Sequence, residues 1–150
     1  MPAALGTRDM SHLTLLNDFY KTVWIDGDLA SIDRFFQPRT EAHGILADGQ
    51  VGAEDFKVIV PAFRAMMRDM RVSVDRHVEM GEWLWAHVSL HAVTIVGANP
   101  VHAAGMVMMR VENGQVAEAY NSFDFITFFE QIGLLPRDSF ALLLSGEAIG

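Results

Sequence analysis

Apolar positions follow two different rhythms along this chain, and the change between them divides it. In the first third they recur at helical spacing. Leu13, Leu16, Tyr20, Val23 and Trp24 predict one helix, with Thr7 or Ser11 as its cap. Asp26-Gly27-Asp28 breaks it, and Asp28 is placed to cap a short second helix carrying Leu29, Ile32, Phe35 and Phe36, ended by Gln37-Pro38. Thr40 to Leu46 reads as a short strand followed by a turn at Asp48-Gly49. A third helix is expected from about Ala53, with Phe56, Ile59, Val60, Phe63, Met66 and Met67 on its apolar side. Pro61 lies inside it and is expected to kink or split it.

From Met70 the period becomes two. Val72, Val74, Arg76 and Val78 alternate with polar neighbours, Gly81-Glu82 turns the chain, and Trp83 to Val96 reads as a long strand. Gly97 to Pro100 turns again, Val101 to Val111 forms the next strand, and Asn113-Gly114 is a strong hairpin signal before a last strand over Val116 to Phe123. An apolar helix follows and stops at Gly133, then a short one around Phe140. Helices first and a meander after them predict an α+β domain spanning residues 1–150. Its N-terminal helices pack on a curved, mainly antiparallel sheet, a cone-shaped roll whose open end is a natural ligand pocket.

Composition narrows the partners. The chain is 51% hydrophobic, more than an ordinary domain of its 150 residues, and the excess points to a lined cavity, a subunit interface or both. A net charge of −8 argues against nucleic acid and anionic membranes. Zero cysteines exclude disulfides, thiolate catalysis and cysteine–zinc sites. The opening MPAALGTRDM lacks a signal-peptide pattern, no apolar run is long enough to cross a bilayer, and a cytoplasmic protein is the expectation. There is no phosphate-binding glycine loop, nucleophile elbow or His-Glu-x-x-His pattern. His87 and His91 are four apart, but in a strand that separates them by ~13 Å, too far to share a metal ion. Neither a metal nor a cofactor is expected.

Candidate chemistry concentrates near the end of the last strand, where Tyr120, Asn121, Ser122 and Asp124 lie among Phe123, Phe125, Phe128 and Phe129. Asp124 has two readings. As a helix cap it stays acidic in water; buried among phenylalanines it becomes a general acid/base with a raised pKa. Asn121 and His43, which ends the first strand, join it as candidate catalytic groups. Tyr20, Trp24, Phe63, Met67, His102, Met108 and Tyr120 are candidates for a deformable apolar pocket, Tyr20 with a hydroxyl to orient a ligand carbonyl. One face of the long strand carries Trp83, Trp85, His87, Ser89 and His91; the other carries Leu84, Ala86, Val88, Leu90 and Ala92. The second suits packing under helices. The first is either a pocket wall, which makes His87 and His91 ligand contacts, or an outer face buried against a second subunit. A homodimer through the sheet is expected on that ground.

Several segments in order carry a resemblance: Phe19-Tyr20-x-x-Val23-Trp24-x-x-Gly27-Asp28; Ala42-His43-Gly44; Gly52-x-Glu54-x-Phe56-Lys57; Gly105 to Arg110; Gly114 to Glu118; and Asp124 followed by Gln131-Ile132-Gly133-Leu134-Leu135-Pro136. From about Leu13 to Pro136 the chain resembles the SnoaL-like branch of the nuclear-transport-factor-2-like superfamily, small cone-shaped proteins that include polyketide cyclases. That resemblance implies a cofactor-free acid/base enzyme that closes rings on a bulky apolar carbonyl compound. Where family members often read Trp-Asp-x-x-Asp, this chain has Tyr120, Asn121 and Asp124, so the resemblance gives Asp124 the acid/base role and leaves an amide at the first acid. The family also holds members without that activity, and a ligand-binding or accessory protein with the same pocket, or a related isomerase or hydrolase, stays open.

Overall fold

The computed structural model describes residues 11–46 and 49–150. Thr7, the N-terminal stretch read for a leader, and Asp48 of the expected turn lie outside the described residues. Helix α1, His12–Phe19, is capped by Ser11, whose hydroxyl accepts from the Thr14 N–H at 3.1 Å, and it buries Leu15, Leu16 and Phe19. The helix does not run on to Trp24 in α form. Tyr20–Ile25 widens into a π-helical turn closed by Asp26 N–H on the Lys21 carbonyl at 2.9 Å. A single 3₁₀ turn, Leu29–Ser31, and a four-residue helix α2, Ile32–Phe35, replace the longer second helix expected.

Strand β1, Phe36–Leu46, begins earlier than the sequence suggested and takes Phe36 from the helix. Pro38 sits in an irregular stretch of β1 pairing, where Thr40 Oγ1 compensates by donating to the Val116 carbonyl at 2.5 Å and accepting from Gln37 N–H at 2.8 Å. After β2, Gly49–Val51, helix α3 runs unbroken over Ala53–Arg64. Pro61 neither splits nor ends it: the proline lies one turn from its C-terminus, so only a single ladder bond is lost. Strands β3 (Met67–Met80), β4 (Trp83–Thr94), β5 (Pro100–Glu112) and β6 (Gln115–Phe123) form the expected meander. Helices α4, Phe125–Ile132, and α5, Ser139–Leu144, close the chain.

The six strands make one sheet in the order β2-β1-β6-β5-β4-β3. All neighbours are antiparallel except β1 and β6, which run parallel. The core lies on one face only. Leu84, Ala86, Val107, Met109 and Ala119 point into it from the sheet and meet Phe19, Val23, Phe35, Phe56 and Val60 from the helices. A second cluster around Phe128 packs α4 onto Ala92, Val101 and Ala103. No described helix is long and apolar enough to cross a membrane.

Candidate functional site

Between the helices and the inner sheet face lies a cavity of about 180 Å³. Its helical wall is built by two side chains of the π turn, Tyr20 and Trp24, and by Phe56, Ile59 and Phe63 of α3. Tyr20 and Trp24 are four apart, so they share one face of the turn. The sheet wall is Met67, Met70 and Val72 of β3, Val88 and Leu90 of β4, Val107 and Met109 of β5, and Asn121 of β6; Phe123 and Phe125 close the β6–α4 end. The aromatic rings interlock: Trp24 meets Phe63 edge-on at 5.9 Å and Phe56 at 6.5 Å.

Polar groups are few in this lining, and among the described residues it contains no Asp, Glu, His, Lys or Arg. Tyr20 is its one titratable side chain, and its hydroxyl meets no hydrogen-bond partner among the described residues. Burial pushes its pKa well above the ordinary value of 10.0, so the phenol stays a neutral donor. Asn121 is anchored: its Nδ2 donates to the His43 carbonyl at 3.1 Å. That contact depends on Gly44, which has φ +83° and runs against the Asn121 backbone.

The sequence-based candidates therefore divide. Tyr20, Trp24, Phe63 and Met67 line the cavity, and so does Asn121. Asp124 does not. It is exposed at the start of α4, where its carboxylate accepts from Thr127 N–H at 3.0 Å and from the Thr127 hydroxyl at 2.7 Å. Of its two readings the cap is the one observed, because the rings of Phe123 and Phe125 turn inward while the helix start turns the Asp side chain out.

His43, His87, His91, His102, Met108 and Tyr120 are also corrected. They stand on the outer face of the sheet, away from the cavity. Strand alternation dictates this: Leu84, Ala86, Val88, Leu90 and Ala92 face the helices, so the odd-numbered residues of β4 face out. There His43 stacks on Tyr120 at 4.7 Å and His91 on His102 at 4.3 Å. Arg110 and the Tyr120 hydroxyl both hydrogen-bond Glu118, at 2.7 and 2.8 Å, and hold its carboxyl below the usual range. Hydroxyls of Ser89 and Ser73, then the His87 ring, do the same for Asp75. No group of three His, Cys, Asp or Glu suited to a metal ion occurs among the described residues.

Sequence reasoning missed Phe125, Ile59 and the inner residues Val88 and Leu90 as lining. The signal was present, since these positions sit on the helix and strand faces that were already expected to be buried.

The family model of the SnoaL-like polyketide cyclases matches residues 14–132, which contains every cavity wall. The chain belongs to the SnoaL-like polyketide cyclase family. Solved structures agree on the fold of this SnoaL-like chain. A candidate polyketide cyclase from Bacillus cereus ATCC 10987 is 18% identical, with 81% of this chain and 79% of that one covered and a TM-score of 0.72. IdmH, a candidate polyketide cyclase from Streptomyces antibioticus, is 18% identical over 79% of this chain and 96% of its own, with a TM-score of 0.69. A protein of ketosteroid isomerase-like fold from Catenulispora acidiphila DSM 44928, solved with trimethylamine, is 11% identical over 80% and 92%, with a TM-score of 0.66. No curated protein matches the sequence.

Proposed function

We propose that this SnoaL-like chain binds a neutral compound of one or two rings and holds a single ligand oxygen with the Tyr20 hydroxyl. The observation that carries this reading is a phenol donor that, among the described residues, has no protein partner and no charged side chain beside it in the cavity wall. A hydroxyl that faces an apolar cavity and has no partner there is matched by an accepting ligand oxygen. Size supports the ring count. About 180 Å³ exceeds the ~150 Å³ cavity that takes benzene, and falls below the ~300 Å³ of drug-sized pockets. Aromatic walls with Met67, Met70 and Met109 suit a flat, polarisable ligand.

The family match favours a second reading, a cyclase-type reaction in the same cavity. A carbonyl oxygen that gains charge during ring closure would accept from Tyr20, and a donor in a dry site stabilises such charge strongly. In that reading Asn121 is a further polar group of the wall. The carbon-bound proton would have to leave to a group outside the wall.

The test is calorimetry with 2-tetralone and with naphthalene, ring systems of similar size with and without an oxygen. The ketone should bind about tenfold more tightly, and Tyr20→Phe should bring the two together. Equal affinities in the unmodified protein would overturn the assignment.

A further inference from the structure

Asn121 stands on the inner face of β6. Its cross-strand partner on β5 is buried Val107, and both line the cavity, whereas Tyr120 before it is exposed on the outer face. The side chain is an amide with two unlike ends, one that only donates and one that only accepts. The His43 carbonyl decides which end goes where. It accepts from Nδ2 at 3.1 Å, and turning the amide over would bring two acceptors together. Gly44 keeps the two strands this close, because without a side chain the β1 backbone lies directly against the Asn121 main chain. With Nδ2 turned toward β1, the amide oxygen Oδ1 is turned the other way, toward β5 and Val107. Oδ1 accepts no hydrogen bond among the described residues. Tyr20 lies on the helical wall of the same cavity, and the two side chains do not bond to each other.

We propose that Asn121 is a specificity-determining residue: its Oδ1 selects ligands that present a hydrogen-bond donor to the sheet wall and rejects those that present only carbon or an accepting oxygen there. This rests on the reading that gives the Tyr20 hydroxyl to a ligand oxygen, and it adds a requirement at the opposite wall. A ligand hydroxyl or N–H completes the amide. A ligand without a donor excludes water from Oδ1 and supplies nothing in its place, and a ligand carbonyl there sets lone pair against lone pair. The anchor makes the selection one-sided. A free amide would turn over to suit either kind of ligand, whereas this one would first have to break its bond to His43. Ser122, a further polar residue of the lining, belongs to the outer alternation of β6, opposite Met106. Its hydroxyl both donates and accepts, so it imposes no such choice.

Calorimetry on the full chain with ring-substituted 2-tetralones tests this. Hydroxyl and methyl are close in size, so each 2-tetralone with a hydroxyl on its aromatic ring is compared with the methyl compound of the same position. At least one hydroxyl compound should bind about fivefold or more tightly than its methyl counterpart. Asn121→Leu should abolish or reverse that preference. Thermal melting shows whether the variant is folded, and Asn121→Ala takes its place if leucine is not accommodated. Methyl compounds that all match their hydroxyl counterparts in the unmodified protein overturn the assignment. So does a hydroxyl preference that survives in the folded variant. Neither result touches the Tyr20 reading, which fails separately, on equal affinities for 2-tetralone and naphthalene.

Discussion

Gly44 and Asn121 meet backbone to backbone: a β-carbon built on Gly44 would lie 1.8 Å from the Asn121 carbonyl oxygen. The overlap is with main chain, which has no rotamer to move, and Gly44 also has φ +83°. Gly44→Ala should therefore cost about 3 kcal/mol or more in denaturant unfolding and loosen the Asn121 wall of the cavity. A variant of unchanged stability would show that β1 and β6 separate at little cost.

Tyr20 and Tyr120 are the two tyrosines of the chain, and both hold their protons more tightly than an ordinary phenol. Burial causes the rise at Tyr20; at Tyr120 the bond it donates to Glu118 comes first. The folded protein should show no tyrosinate absorbance step at the ordinary value of 10.0. The sign for stability follows. The unfolded chain releases the Tyr20 proton near pH 10 and the folded chain retains it, so stability is intact below about pH 10 and falls as the pH rises beyond it. Tyr20→Phe should reduce that alkaline loss, read as the change in unfolding midpoint between about pH 9 and about pH 11.

Asp124 works for the helix. Asp124→Ala should lose about 1 kcal/mol of stability, whereas Asp124→Asn keeps a capping oxygen and should lose only a few tenths. Neither variant should alter 2-tetralone affinity. A loss of binding or turnover in a folded Asn variant would return Asp124 to the site.

Gly133 ends α4 with φ +95°, with its own N–H and that of Leu134 both donating to the Phe129 carbonyl. Gly133→Val places a β-branched residue in left-handed geometry and should cost about 1–2 kcal/mol, measured by thermal unfolding. This residue was legible in the sequence because a left-handed helix end leaves few other choices.

What the sequence revealed, and what it hid, follows from the range of the forces involved. The β3–β6 meander was readable because alternation and Asn113-Gly114 are local signals. Alternation separates two faces, but one strand alone does not say which face the helices cover, and this leaves His87 and His91 open between a pocket wall and an outer face. Leu84 and Ala86 on the opposite side already pointed to the answer. Asp124 was ambiguous for a different reason. A cap and a buried acid need the same residue at the same place, and only the direction of the first helical turn separates them. The π turn carries no recognisable mark in the sequence of Tyr20 to Ile25.

The parallel pairing of β1 with β6 has a consequence for the order in which the molecule is made. Phe36 meets Val116, about 80 residues later in the chain, whereas β3 to β6 join through tight hairpins. Closing so long a loop is slow compared with zipping a hairpin. During synthesis β1 has β2 beside it early but stays without β6 until nearly the whole meander has emerged. The Asn121–His43 bond, which ties that seam, belongs to the final stage. A ligand for this cavity would meet a finished wall only on a completed chain, and its binding would report that the last seam of the sheet had closed.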